Sequence, residues 1–173
     1  RPDLEAVKQQ LTDLTARMKT AESYDEARKL FIEEDNLERH LETAMTLVHV
    51  RHSIDTRDTF YDDEMKFVND AMPVLTEYTQ KWTEALLSSP FRAKFEEEFG
   101  KLTFINAEIA QKTFAPEIIP MLQEENELKT AYEKLLASAQ IPFEGENYTI
   151  SQITAFKNDE NDERGVWVQK KGK

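Results

Sequence analysis

Leu4, Val7, Leu11, Leu14 and Met18 follow one another at intervals of three and four, and the same rhythm returns in most later stretches of the chain. Such steps keep returning to one face of a helix with 3.6 residues per turn, so each stretch reads as an amphipathic helix with an apolar stripe. Stripes of this kind must be covered by other stripes. The expected fold is therefore all-α, a multi-helix bundle of long amphipathic helices. Only four glycines and six prolines occur in 173 residues, and most of the prolines fall between the periodic stretches. Both facts favour helices.

The first helix is expected from Asp3 to about Lys19. Ser23 and Glu26 have capping-box spacing and open a second helix to about Arg51. Its apolar positions are Ala27, Leu30, Phe31, Leu37, Leu41, Ala44, Met45 and Val48. The polar run Ser53 to Thr59 interrupts the pattern, and Thr59 or Asp62 can cap the next helix. That helix carries Met65, Val68, Met72 (or Ala71), Leu75, Tyr78, Trp82 and Leu86. Pro73 lies inside it and is expected to kink it, because it removes a backbone donor.

Ser89 and Pro90 read as N-cap and first position of a short helix, with Gly100 as its C-terminal cap. Leu102, Ile105, Ile109 and Phe114 suggest another. Pro116 and Pro120 restart the chain. A stripe of Ile118, Leu122, Leu128, Tyr132, Leu135 and Leu136 then runs to Ala139. The passage from Ile141 to Ile150 has two short apolar segments about a glycine-containing turn, and reads as a minor β-hairpin at residues 141–150. Thr149 or Ser151 caps a short helix through Phe156. Residues 158–164 read as a polar loop entering a further helix. No fixed-period repeat is present, and one helical domain with this hairpin near its end is expected.

The formal net charge is −12, from 34 acids against 22 bases. An acidic surface repels phosphate backbones and anionic headgroups, so neither nucleic acid nor membrane is an expected partner. No apolar run approaches the ~20 residues that span a bilayer. Cysteine is absent, which removes disulfides and thiolate chemistry and fits a reducing, cytoplasmic setting. The chain opens Arg1-Pro2-Asp3, without a methionine or the features of a signal peptide, and reads as a cut or processed N-terminus.

The residues offer little chemistry of their own. None of His40, His49 and His52 is followed by glutamate, so the H-E-x-x-H helix of a zinc peptidase is missing. His49 and His52 are three apart, but two imidazoles are half of a zinc ligand set, and core-edge or surface roles are expected instead. There is no G-x-S-x-G elbow and no phosphate-binding loop. Among 34 acids any chosen carboxylate pair is uninformative. Glu96-Glu97-Glu98 and Glu124-Glu125 are expected to be solvated helix faces, since they lack a calcium loop's spaced oxygens. Phe60, Tyr61, Phe67, Tyr78 and Trp82 are expected to pack in the core.

One set of passages is more specific. Ser53-Ile54-Asp55-Thr56-Arg57-Asp58-Thr59-Phe60-Tyr61-Asp62-Asp63-Glu64 resembles the segment before a long helix in oligoendopeptidase F-type enzymes. Ser89-Pro90-Phe91-Arg92 with Phe99-Gly100 is similar to that family's following short helix. Ala115-Pro116-Glu117-Ile118, Glu125-Asn126-Glu127-Leu128, Tyr132-Glu133-Lys134-Leu135, Ala137-Ser138-Ala139 and the passage from Ile141 to Ile150 keep the family's order. The resemblance covers about Leu4 to Arg164.

It implies that residues 1–164 are the helical N-terminal lobe of a thimet oligopeptidase-like zinc metalloendopeptidase. In such enzymes the lobe roofs a channel that admits short oligopeptides, and the zinc motif lies far downstream. The implied partners are the catalytic C-terminal half and oligopeptide substrates. No catalytic, metal or cofactor residue is carried over: zinc belongs to the parent enzyme, and no cofactor is expected in this chain. A lobe with an uncovered inner face is also expected to self-associate. Residues 165–173 depart from the family pattern and read as a divergent tail, whether appended, frameshifted or natural. A free-standing acidic helical interaction module is the competing expectation, and a small enzyme using a carboxylate pair is a third.

Overall fold

A computed structural model describes residues 1–156. The expected loop at 158–164 and the tail at 165–173 lie outside the described residues. The backbone divides into two compact units, Arg1–Glu125 and a second from Asn126 onward.

In the first unit, α1 runs Leu4–Thr20, α2 Tyr24–Ile54, α3 Thr59–Leu87, α4 Arg92–Phe99 and α5 Lys101–Thr113. A 3-10 turn, Pro116–Ile118, leads into α6, Ile119–Ser138, whose first residues to Glu125 belong to this unit. The caps explain the boundaries. Asp3 accepts hydrogen bonds from the backbone N–H groups of Glu5 and Ala6, each at 3.1 Å, and starts α1. The Ser23 hydroxyl accepts from Glu26 N–H at 3.2 Å and starts α2. Asp58, rather than Thr59 or Asp62, caps α3, accepting from Phe60 and Tyr61 N–H at 3.0 and 3.3 Å. Its carboxylate, one residue earlier, reaches two orphan donors at once. Ser89 and Pro90 form a turn ahead of α4, with Arg92 N–H donating to Ser89 O at 3.1 Å, so the helix opens two residues later than expected. α3 continues through the buried Pro73 without ending.

α3 is the centre of this unit, with α1, α2 and α5 against it. Of the expected α1 stripe, Val7, Leu11, Leu14 and Met18 are buried and Leu4, at the start of the helix, is half-buried. On α3 the inward choice is Ala71, while Met72 is exposed. One apolar cluster joins Leu14, Met18, Ala27, Leu30, Trp82, Ala85, Leu86, Phe95 and Phe104. The other joins Val7, Leu11, Met45 and Leu75. Phe95 is the hub of the first, meeting the Tyr24 ring edge-on at 5.1 Å and Phe31 at 5.4 Å. Burying one such ring contributes about 1.5–3 kcal/mol.

In the second unit, β1 Ile141–Phe143 pairs antiparallel with β2 Glu146–Tyr148, opposing Ile141 to Tyr148 and Phe143 to Glu146. The two turn residues, Glu144 and Gly145, both have positive φ, 51° and 88°. A two-residue hairpin loop of the I′ kind requires this. Thr149 then caps α7, Ile150–Ile153, in a full capping box. Its hydroxyl accepts from Gln152 N–H, and the Gln152 side chain accepts from Thr149 N–H. Phe143 and Ile153 form a small core with Tyr148 and Phe156.

Candidate functional site

α5 is held to its unit by one fully buried side chain. Phe104 is 1% exposed, whereas Leu102, Ile105 and Ile109 are 69, 49 and 55% exposed. These three lie at i, i+3 and i+7 and so share one helix face. The stripe that marks α5 as a helix therefore looks outward, and the inward contact is a residue the stripe omits. Polar bonds fix the helix: the Gln111 side-chain amide donates to Gln80 O at 2.8 Å, and the Gln80 amide to Ala110 O at 3.4 Å. Arg92 bridges Glu96 at 2.8 Å and Glu108 at 2.6 Å, tying α4 to α5. Glu108 is the one acid between Gly100 and Pro116.

Two other apolar groups are exposed. Leu47, Val50 and Ile54 lie along the end of α2, and Phe60 stands at the start of α3, edge-on to Tyr61 at 5.1 Å. Phe60 thus departs from the expected core role, which Trp82 fulfils. On α6, Leu128, Tyr132 and Leu135 are exposed, so that part of the predicted stripe also lies open to solvent.

The histidines do not gather. His40 is exposed and bonded to Asn36 O, and His49 is exposed. His52 is fully buried, its Nε2 3.5 Å from Asp62 Oδ1, where the end of α2 meets the start of α3. Among the described residues no three His, Asp or Glu side chains come together as metal ligands. The acidic runs are helix-surface pairs in part: Glu96 holds Arg92, and Glu98 holds Arg28 and the Tyr24 hydroxyl. Burial, then the bond to Glu98, pushes the Tyr24 phenol up to about 12.

Glu34 was not foreseen as special. It is 6% exposed and buried beside the Trp82 side chain of α3. Burial, then the charges of Glu38 and Asp35, pushes it up to about 7. The signal was present in the sequence, since Glu34 sits in register with Leu30 and Leu37 on the inward face. A shallow groove of about 290 Å³ lies between α1 and α3, floored by Leu11, Ala16 and Tyr78 and rimmed by Lys19 and Lys81. No helix among the described residues is long and apolar enough to cross a membrane.

The family model for the peptidase M3 N-terminal domain matches residues 1–114, about two-thirds of the chain. The chain belongs to the peptidase M3 N-terminal domain family. Solved structures of larger proteins share its fold closely. A protein assigned as oligoendopeptidase F, solved by X-ray diffraction at 3.1 Å, superposes with a TM-score of 0.94 at 35% identity, covering 99% of this chain and 30% of that one. A Bacillus anthracis protein assigned as oligoendopeptidase F gives 0.93 at 33%, covering 99% and 32%. PZ peptidase A, solved with an inhibitor, gives 0.94 at 32%, covering 99% and 31%. The M3 domain described here thus spans about 30% of the length of these solved relatives. No curated protein matches the chain.

Proposed function

We propose that this chain acts as the non-catalytic, substrate-channel lobe of a zinc metallopeptidase that hydrolyses short oligopeptides. The observation that carries the reading is the pairing of near-complete coverage of this chain with about 30% coverage of the oligoendopeptidase F relatives. In this reading the remaining part of such an enzyme supplies the catalysis. Zinc is implied for the parent enzyme, and this chain's residues do not fit it: His52 faces Asp62 in the interior, His49 faces water, and no third ligand joins them among the described residues. No step of amide hydrolysis is therefore assigned to this chain. Its contribution is steric: a helical roof over a channel admits an extended peptide and excludes a folded protein.

The test is to mix the chain with the separately produced catalytic region of an oligoendopeptidase F relative. Cleavage of a quenched fluorescent peptide is followed, with a chelator control. The reading expects binding and a changed rate or length preference. A chain that neither binds that region nor alters its activity would refute it.

A further inference from the structure

We propose that the outward face of α5, formed by Leu102, Ile105 and Ile109, is the seat on which the polypeptide continuing beyond this region in the solved relatives docks. The inference rests on the lobe reading and adds which face does the docking. It starts from an imbalance between helices. α1 buries five side chains and α3 eight, while α5 buries only Phe104. A helix of 13 residues is marginal in water by itself and depends on tertiary packing. Here the packing is on one side only, and the three large aliphatics of α5 are turned away from it.

The charge pattern fits burial. The chain carries 34 acids, yet only Glu108 falls within residues 101–115, and Arg92 already pairs with it. Lys101 and Lys112 sit at the two ends of the helix. A partner can therefore cover the middle of this face without stranding an unpaired charge, which is the costly step in forming an interface.

The size of the face selects the occupant. Three aliphatic side chains offer a few hundred Å², well short of the roughly 1,200–2,000 Å² in total that a stable complex of separate chains buries. A second copy of this chain is thus a poor fit. A segment of the same polypeptide needs less, because tethering raises its effective concentration. The solved relatives have such a segment: about 70% of their length lies outside the part that this chain matches.

The experiment replaces the matching region of the Bacillus anthracis oligoendopeptidase F with this chain. Side-chain labelling by a photogenerated carbene is then compared between that graft and the 173-residue chain. Labelling of Leu102, Ile105 and Ile109 is expected to fall at least fivefold in the graft. The double variant Ile105→Asp, Ile109→Asp is expected to keep the helix content of the 173-residue chain while destabilising the graft. If the α5 residues label equally in both and another face is protected, the assignment to α5 is wrong and the lobe reading stands. If no face is protected, or the graft does not fold, both fail. If labelling falls with rising concentration of the 173-residue chain itself, a second copy is the occupant and the proposal is overturned.

Discussion

Glu34 on α2 is buried beside Trp82 on α3, and the Trp82 side chain, itself part of the main apolar cluster, favours the charged form of the acid less than burial disfavours it. This places an ionisable group where ionisation is costly, and gives the fold a proton-dependent stability.

Glu34 in the folded chain holds its proton up to about pH 7, against a usual 4.5. Between those values the folded state binds a proton that the unfolded state has released, so stability falls as pH rises through that window. A change from 4.5 to about 7 corresponds to roughly 3 kcal/mol, complete above pH 7 and absent below pH 4.5. Glu34→Gln keeps the shape of the side chain beside Trp82 and removes the charge. Denaturant unfolding of both proteins should show near-equal stability at pH 4.5 and a gain for the variant at pH 8. Equal stability at both pH values would show that Glu34 ionises without penalty.

The two sides of α5 should respond oppositely to truncation. Phe104→Ala removes a fully buried ring from the main cluster, and should cost about 3–5 kcal/mol. Ile105→Ala, half exposed in this chain, should change stability by less than about 0.5 kcal/mol. Urea midpoints of the two variants decide this, and a large loss for Ile105→Ala would mean the face is already covered.

Gly100 joins α4 to α5 with φ +89° and ψ 140°, a backbone region that side chains disfavour. A Cβ there would meet nothing within 4 Å, so the cost of Gly100→Ala is conformational and not steric. A loss of about 1–3 kcal/mol is expected from thermal or chemical unfolding.

Much of this was legible in the chain. Four of the five α1 stripe residues are buried and Leu4 is half-buried, Thr149 and Gly145 set the hairpin and the short helix after it, Ser23 opens α2 and Gly100 closes α4 as read. What periodicity cannot say is what covers a stripe. Leu102, Ile105 and Ile109 have good helical spacing, but spacing is local, and no other element of the described residues buries them. Phe104 shows the converse, for its burial depends on the Phe95 ring 6.3 Å away on a neighbouring helix. Asp58 outranked Thr59 as a cap because one residue of chain path decided which oxygen reached the free N–H groups. His49 and His52 are only about 60° apart around the helix, and what separates them is tertiary: the start of α3 covers His52 and leaves His49 exposed. The resemblance found in residues 53–64, 89–100 and 115–150 pointed to the family that the match over residues 1–114 establishes.

The proposed role of this chain is that of a non-catalytic lobe. The most direct measurement is hydrolysis of a quenched fluorescent oligopeptide by the purified 173-residue chain in zinc-containing buffer across pH 5–9. The account predicts a rate equal to the buffer blank at every pH, because no H-E-x-x-H helix is present to hold and activate a metal-bound water. Turnover that scales with the chain's concentration and stops on adding a chelator would contradict it.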